Sequence, residues 1–94
     1  MNYSLFYDRL KIMLAKIHVT YKNGVLDSQG KAVYSALNDL GFNEVKHVHV
    51  GKYMEIRMDG VSEAEAQKRV REMCEKLLTN TVIETFRFTL SATE

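Results

Sequence analysis

The stretch "EVKHVHVGKYMEIRMD", Glu44 to Asp59, decides how this chain folds. Val48, Val50, Met54, Ile56 and Met58 share one parity, while the other includes His47, His49, Glu55, Arg57 and Asp59. A period of two marks a strand, because successive side chains point to opposite faces. At ~3.3 Å per residue the stretch would reach about 53 Å if straight. A domain of this length has a radius of gyration of only ~12–13 Å. The stretch therefore bends, forms a hairpin, or projects beyond the body of the monomer. Gly51 is its only residue without a Cβ, so the break belongs there.

Upstream, "AKIHVTYK" alternates Ile17, Val19 and Tyr21 with His18 and Thr20, a second strand that Asn23-Gly24 ends. The period then changes: Val33, Ala36, Leu37 and Leu40 recur at helical spacing. Asp27 is placed to cap that helix at its start and Gly41 to close it in the left-handed conformation. Downstream, "SEAE" (Ser62 to Glu65) is a capping box, followed by an apolar stripe of Ala66, Val70, Met73, Cys74 and Leu77. Asn80 can close this helix. Val82, Phe86, Phe88 and Leu90 then alternate with Thr85, Arg87 and Thr89 in a last strand. The order predicts an α+β, two-layer fold of ferredoxin-like β-α-β-β-α-β order, an antiparallel sheet with two helices on one face. Residues 1–12 stand apart as an N-terminal extension to a domain over 13–94. Tyr3, Phe6, Tyr7 and Leu10 allow a short amphipathic helix there, but one that short is marginal without packing. The expectation is a frayed tail, or an upstream start codon ahead of a natural beginning at Met13.

The chain's 94 residues form one domain with a thin core. Thirteen basic and twelve acidic residues are interleaved, which gives no electrostatic reason for a nucleic-acid partner. One cysteine, Cys74, makes no internal disulfide and fits a reducing, cytoplasmic setting. No apolar run approaches the ~18 residues that span a membrane, and no basic-then-apolar start marks a secretory signal.

"KNGVLDSQGKAV", Lys22 to Val33, resembles a phosphate-binding loop, and the chemistry excludes it. Five residues separate Gly24 from Gly30, where the motif allows four, and Ala32 lacks the hydroxyl that magnesium needs. Gly30 also falls inside the helix that Asp27 caps, so a carboxylate already takes the amides an anion would use. His47 and His49 share a strand face, but two ligands are not a zinc site, and solvent-facing histidines are expected. Cys74 on a helical stripe reads as a small buried apolar residue rather than a nucleophile. The carboxylates Glu63, Glu65, Glu72 and Glu75 interleave with Lys68, Arg69, Arg71 and Lys76 as a solvated helix face. Phe86 and Phe88 read as core rather than base-stacking platforms. The residues predict no catalytic group, no bound cofactor and no metal; they predict a domain built for assembly.

Several stretches together carry more than any single motif. "KIHVTYKNGVLDSQGKAVYSALNDLGFNEVKHVHVGKYMEI" and "EMCEKLLTNTVIETF" closely resemble the PurS family, the small subunit of phosphoribosylformylglycinamidine synthase. The resemblance runs from Lys16 to Phe86, roughly three quarters of the chain. Ser28 and Thr81 stand where the family usually has proline, which should loosen both turns slightly without moving them. The N-terminal dozen lies outside the family pattern.

The resemblance implies a non-catalytic subunit that pairs with itself and bridges two partners in de novo purine synthesis. One is the PurL synthetase, which carries the ATP and magnesium sites. The other is the PurQ glutaminase, whose cysteine frees ammonia; the bridging subunit helps ammonia pass without escaping. The projecting stretch makes Gly51, Lys52 and Tyr53 interface candidates, joined by Arg87 on the last strand. The rival expectation is a stand-alone ferredoxin-like module that binds a small metabolite between protomers. A third, a small hydrolase of similar topology, needs the anion loop already excluded.

Overall fold

A computed structural model describes residues 12–93. Strand β1 runs Ile12–Tyr21, helix α1 Ser28–Asp39 and strand β2 Lys52–Asp59. Helix α2 follows over Glu63–Met73 and strand β3 over Glu84–Thr93. The extension expected over 1–12 lies outside the described residues, apart from Ile12, which opens β1.

The three strands form one antiparallel sheet in the order β2-β1-β3, with β1 in the middle. Register places Met13, Ala15, Ile17 and Val19 on the same face as Met58, Ile56 and Met54 of β2 and as Leu90, Phe88 and Phe86 of β3. Helix α2 covers this face. Its Ala66 and Val70, with Cys74 just beyond, recur every fourth residue and are wholly buried. Val70 and Cys74 meet Ala15, Ile17 and Val19 in a core no thicker than one helix on one sheet. Ser62 caps α2 as the sequence predicts, its Oγ accepting from the Glu65 amide at 3.2 Å.

Beyond Met73 the helix widens into one π turn, Cys74–Leu78, closed by the Thr79 amide donating to the Cys74 carbonyl at 2.9 Å. The extra residue rotates the following side chains against the stripe. Leu77, expected on the apolar stripe, is therefore 81% exposed, and Leu78 packs on the core instead. Asn80 acts two residues past the helix: its side chain accepts from the Val82 amide and its carbonyl from the Ile83 and Glu84 amides.

Helix α1 has both ends sealed as its sequence predicts. The Asp27 carboxylate accepts from the Gly30 amide at 2.8 Å. At the other end Gly41 (φ +98°) and Phe42 return their amides to Asn38 and Leu37, the double bond pattern of a Schellman stop. Only Gly30 of α1 is buried, however, and no α1 side chain joins the core.

The long stretch explains why. Residues 46–51 are extended but make no ladder, and β2 begins only at Lys52. Of bend, hairpin and projection, the molecule takes the third. One residue, Gly51, separates Val50 from Lys52, too few for a two-residue hairpin turn. The α+β class and antiparallel sheet are as expected; the segment in the place of a fourth strand runs on from β2 and carries α1 outward. The molecule measures 65 × 29 × 14 Å, with a radius of gyration of 18.4 Å, against the ~12 Å of a compact domain of this length.

Candidate functional site

The arm joins the body at a clamp centred on Asp27. One carboxylate oxygen accepts from Gly30 inside the helix, and the other accepts from the Val50 amide at 2.9 Å, across 23 residues of sequence. The bond from Val50, then that from Gly30, holds the Asp27 carboxyl below the usual carboxylate range, with His49 adding a smaller pull. Gly30 is required for a reason its motif context conceals: a Cβ there would collide with the Val48 carbonyl oxygen and the Asp27 carboxylate. Gly51 has the same kind of role, since its Cβ would meet the Val19 carbonyl oxygen. The two glycines let the extended segment pass close to α1 on one side and β1 on the other.

The four interface candidates fall in two places. Gly51 and Lys52 mark the hinge between arm and sheet, where the Lys52 ammonium lies 3.8 Å from Glu84. Tyr53 and Arg87 lie on the sheet face opposite α2, in one row, on either side of His18. The His18 and Tyr53 rings are 4.8 Å apart, and the Tyr53 hydroxyl donates to Glu55 at 2.8 Å, which raises its pKa. His18 was not anticipated; only strand register, which the sequence does not state, places it between them.

The remaining chemical candidates behave as structural groups. Cys74 is fully buried and burial pushes its thiol pKa up, the opposite of an activated nucleophile. His47 and His49 stack 6.3 Å apart on the extended segment. Among the described residues no three His, Cys, Asp or Glu side chains converge as a metal site would need. Phe86 and Phe88 pack on the core, with the Arg71 guanidinium 5.8 and 5.5 Å from their ring centres. No helix among the described residues is long and apolar enough to cross a membrane.

Large apolar side chains are exposed along the arm instead. Val33, Tyr34, Leu40 and Phe42 are open to solvent, as are Leu77 and Val82 at the far end of α2. On the sheet, Met54, Ile56 and Met58 of β2 are only partly buried, because α2 lies over β1 and β3. An apolar helix face without a sheet thus coexists with a sheet flank without a helix.

Comparison with known proteins places this architecture. The family described as PurS, phosphoribosylformylglycinamidine (FGAM) synthase, matches residues 14–92. The PurS subunit of this synthase from Bacillus subtilis is 49% identical over 73 residues, covering 78% of this chain and 86% of its own length. The crystal structure of Methanocaldococcus jannaschii PurS, one of the subunits of formylglycinamide ribonucleotide amidotransferase in the purine biosynthetic pathway, superposes with a TM-score of 0.79 at 38% identity. It covers 87% of this chain and 99% of its own. A chain in the structure of PurLQS from Thermotoga maritima superposes with a TM-score of 0.78 at 25% identity, covering 85% of this chain and 98% of its own. With a matched core, a shared elongated fold and near-complete coverage of its relatives, the chain belongs to the PurS family, the PurS subunits of phosphoribosylformylglycinamidine synthase in purine biosynthesis.

Proposed function

We propose that this chain is the non-catalytic bridging subunit of its synthase, acting as a pair of copies that joins a PurL synthetase to a PurQ glutaminase and assists ammonia transfer. The observation that carries this is the pairing of unsatisfied surfaces: an α1 stripe with no sheet beneath it and a β2 flank with no helix above it. A two-fold axis brings α1 of each copy toward the β2 flank of the other, and such isologous contacts close without forming fibres. Burying several half-exposed Val, Leu, Phe and Met side chains contributes roughly 25 cal/mol per Å2 of apolar area removed from water.

A pair built this way is long and carries two equivalent outer sheet faces, each with its Tyr53–His18–Arg87 row, a geometry suited to holding two larger subunits. ATP and magnesium belong to the synthetase partner in this reading, and the buried thiol fits a reducing cytoplasm. PurS stands beside PurL and PurQ in the Thermotoga maritima complex, which supports the choice of partners.

The test is co-purification of this chain with the PurL and PurQ of its own genome, with light scattering on the isolated chain. The expected result is a paired species that enters a complex containing both partners. A monodisperse species of 10.8 kDa at micromolar concentration, or glutamine-dependent synthase activity unchanged when this chain is omitted, refutes the proposal.

A further inference from the structure

Where the arm leaves the body, a groove of about 370 Å3 opens between the end of β1, the turn at Asn23-Gly24, the first turns of α1 and residues 46–49. We infer that this groove is a binding site for a small phosphate-bearing molecule with a flat ring, of the class of nucleoside monophosphates. This goes beyond the assembly role and does not depend on it, since every wall comes from one chain.

Three separate segments each contribute one lysine to the lining: Lys22 from the end of β1, Lys31 from α1 and Lys46 from the extended segment. None of the three forms an ion pair among the described residues, where the resolved pairs are Lys52–Glu84 and Lys76–Glu72. The only carboxylate in the lining is Asp27, and both of its oxygens already accept backbone N–H bonds. The lining therefore carries three lysines against one carboxylate, in a chain of thirteen basic and twelve acidic residues. Three lysines lining one concave surface attract a multiply charged anion more than a single carboxylate, and the Lys46 ammonium meanwhile donates to the Asn43 carbonyl at 3.4 Å.

The rest of the lining sets the shape of the ligand. Tyr21 and Tyr34 stand in the wall, with Val25, Leu26 and Val48 beside them. Apolar and aromatic walls with a few charged groups at the rim suit an organic ring that bears a charged substituent, and the volume lies within the range of ~300–1,000 Å3 typical of ligand sites. The helix N-terminus takes no part, because Asp27 occupies it; the lysine side chains supply the anion contacts. The same "KNGVLDSQGKAV" that fails as a phosphate loop thus contributes two of the three lysines.

The experiment is an amide NMR titration of the full chain with AMP, adenosine and inorganic phosphate in separate arms at low salt. AMP is expected to shift the amides of residues 22–27, 30–34 and 46–49, with adenosine and phosphate each binding more weakly. Lys31→Glu combined with Lys46→Glu is expected to weaken AMP about tenfold or more, while Lys68→Glu with Lys76→Glu on the far helix leaves it unchanged. All four positions are exposed, so the amide spectrum itself reports that each variant is folded. Absence of AMP shifts in the groove, adenosine or phosphate binding as tightly as AMP, or equal weakening by both double variants overturns the proposal.

Discussion

Replacing Gly30 by alanine separates local preference from tertiary constraint in this fold. Gly30 is the third residue of α1 and has an ordinary helical φ, so within an isolated helix alanine is favoured by about 1 kcal/mol. In the folded chain the new Cβ meets the Val48 carbonyl oxygen and the Asp27 carboxylate. The first is backbone of the extended segment and cannot rotate away. Overpacking of this kind costs about 1–3 kcal/mol, here toward the upper end because the neighbour is main chain. The expected net loss is about 1–2 kcal/mol, a fall in Tm of roughly 4–8 °C per kcal/mol for a domain of this size. Relief of the clash also moves Val50 off Asp27, so the Val50 amide should lose protection from hydrogen exchange. Thermal and urea unfolding of both chains, with exchange at Val50, make the measurement. A peptide spanning residues 26–42 should move the other way and gain helix by circular dichroism. A Gly30→Ala chain as stable as the parent, with Val50 still protected, refutes the clamp.

The same packing sets three further outcomes. Val70→Ala removes two carbons from a fully buried site and should cost about 2–3 kcal/mol once the cavity is included, read as a lower urea midpoint at unchanged slope. Thr79 is 6% exposed, and its Oγ1 has no hydrogen-bond partner among the described residues. Thr79→Val keeps the shape and should therefore stabilise by about 1 kcal/mol in the same assay. The folded pKa of Asp27 lies below its unfolded value, so its contribution is fully present above the unfolded pKa and is lost as pH falls through the folded one. In acid titrations followed by amide NMR, Val50 and Gly30 should lose their bonded shifts together at the low-pH end, and Asp27→Asn should abolish that step.

Both helices and all three strands were legible in the sequence because they rest on local physics. Parity in Ile17-Val19-Tyr21 and Phe86-Phe88-Leu90, the caps at Asp27, Ser62 and Gly41, and the break at Gly51 each need only neighbouring residues to be read. The identity of the family was legible too, from motifs in fixed order. Leu77 was misplaced because a single π turn shifts helical phase by one residue, and nothing in the apolar spacing announces it.

The tertiary structure alone decided three matters. It chose projection over a hairpin at Gly51, because that choice depends on what the far half of the stretch finds to pair with. It gave the second Asp27 oxygen to Val50 and made Gly30 a point of close approach, since contacts across 23 residues leave no mark on periodicity. It also left α1 without a sheet of its own. An amphipathic helix records that it must cover something apolar; only the path of the chain determines whether that surface is its own or another molecule's.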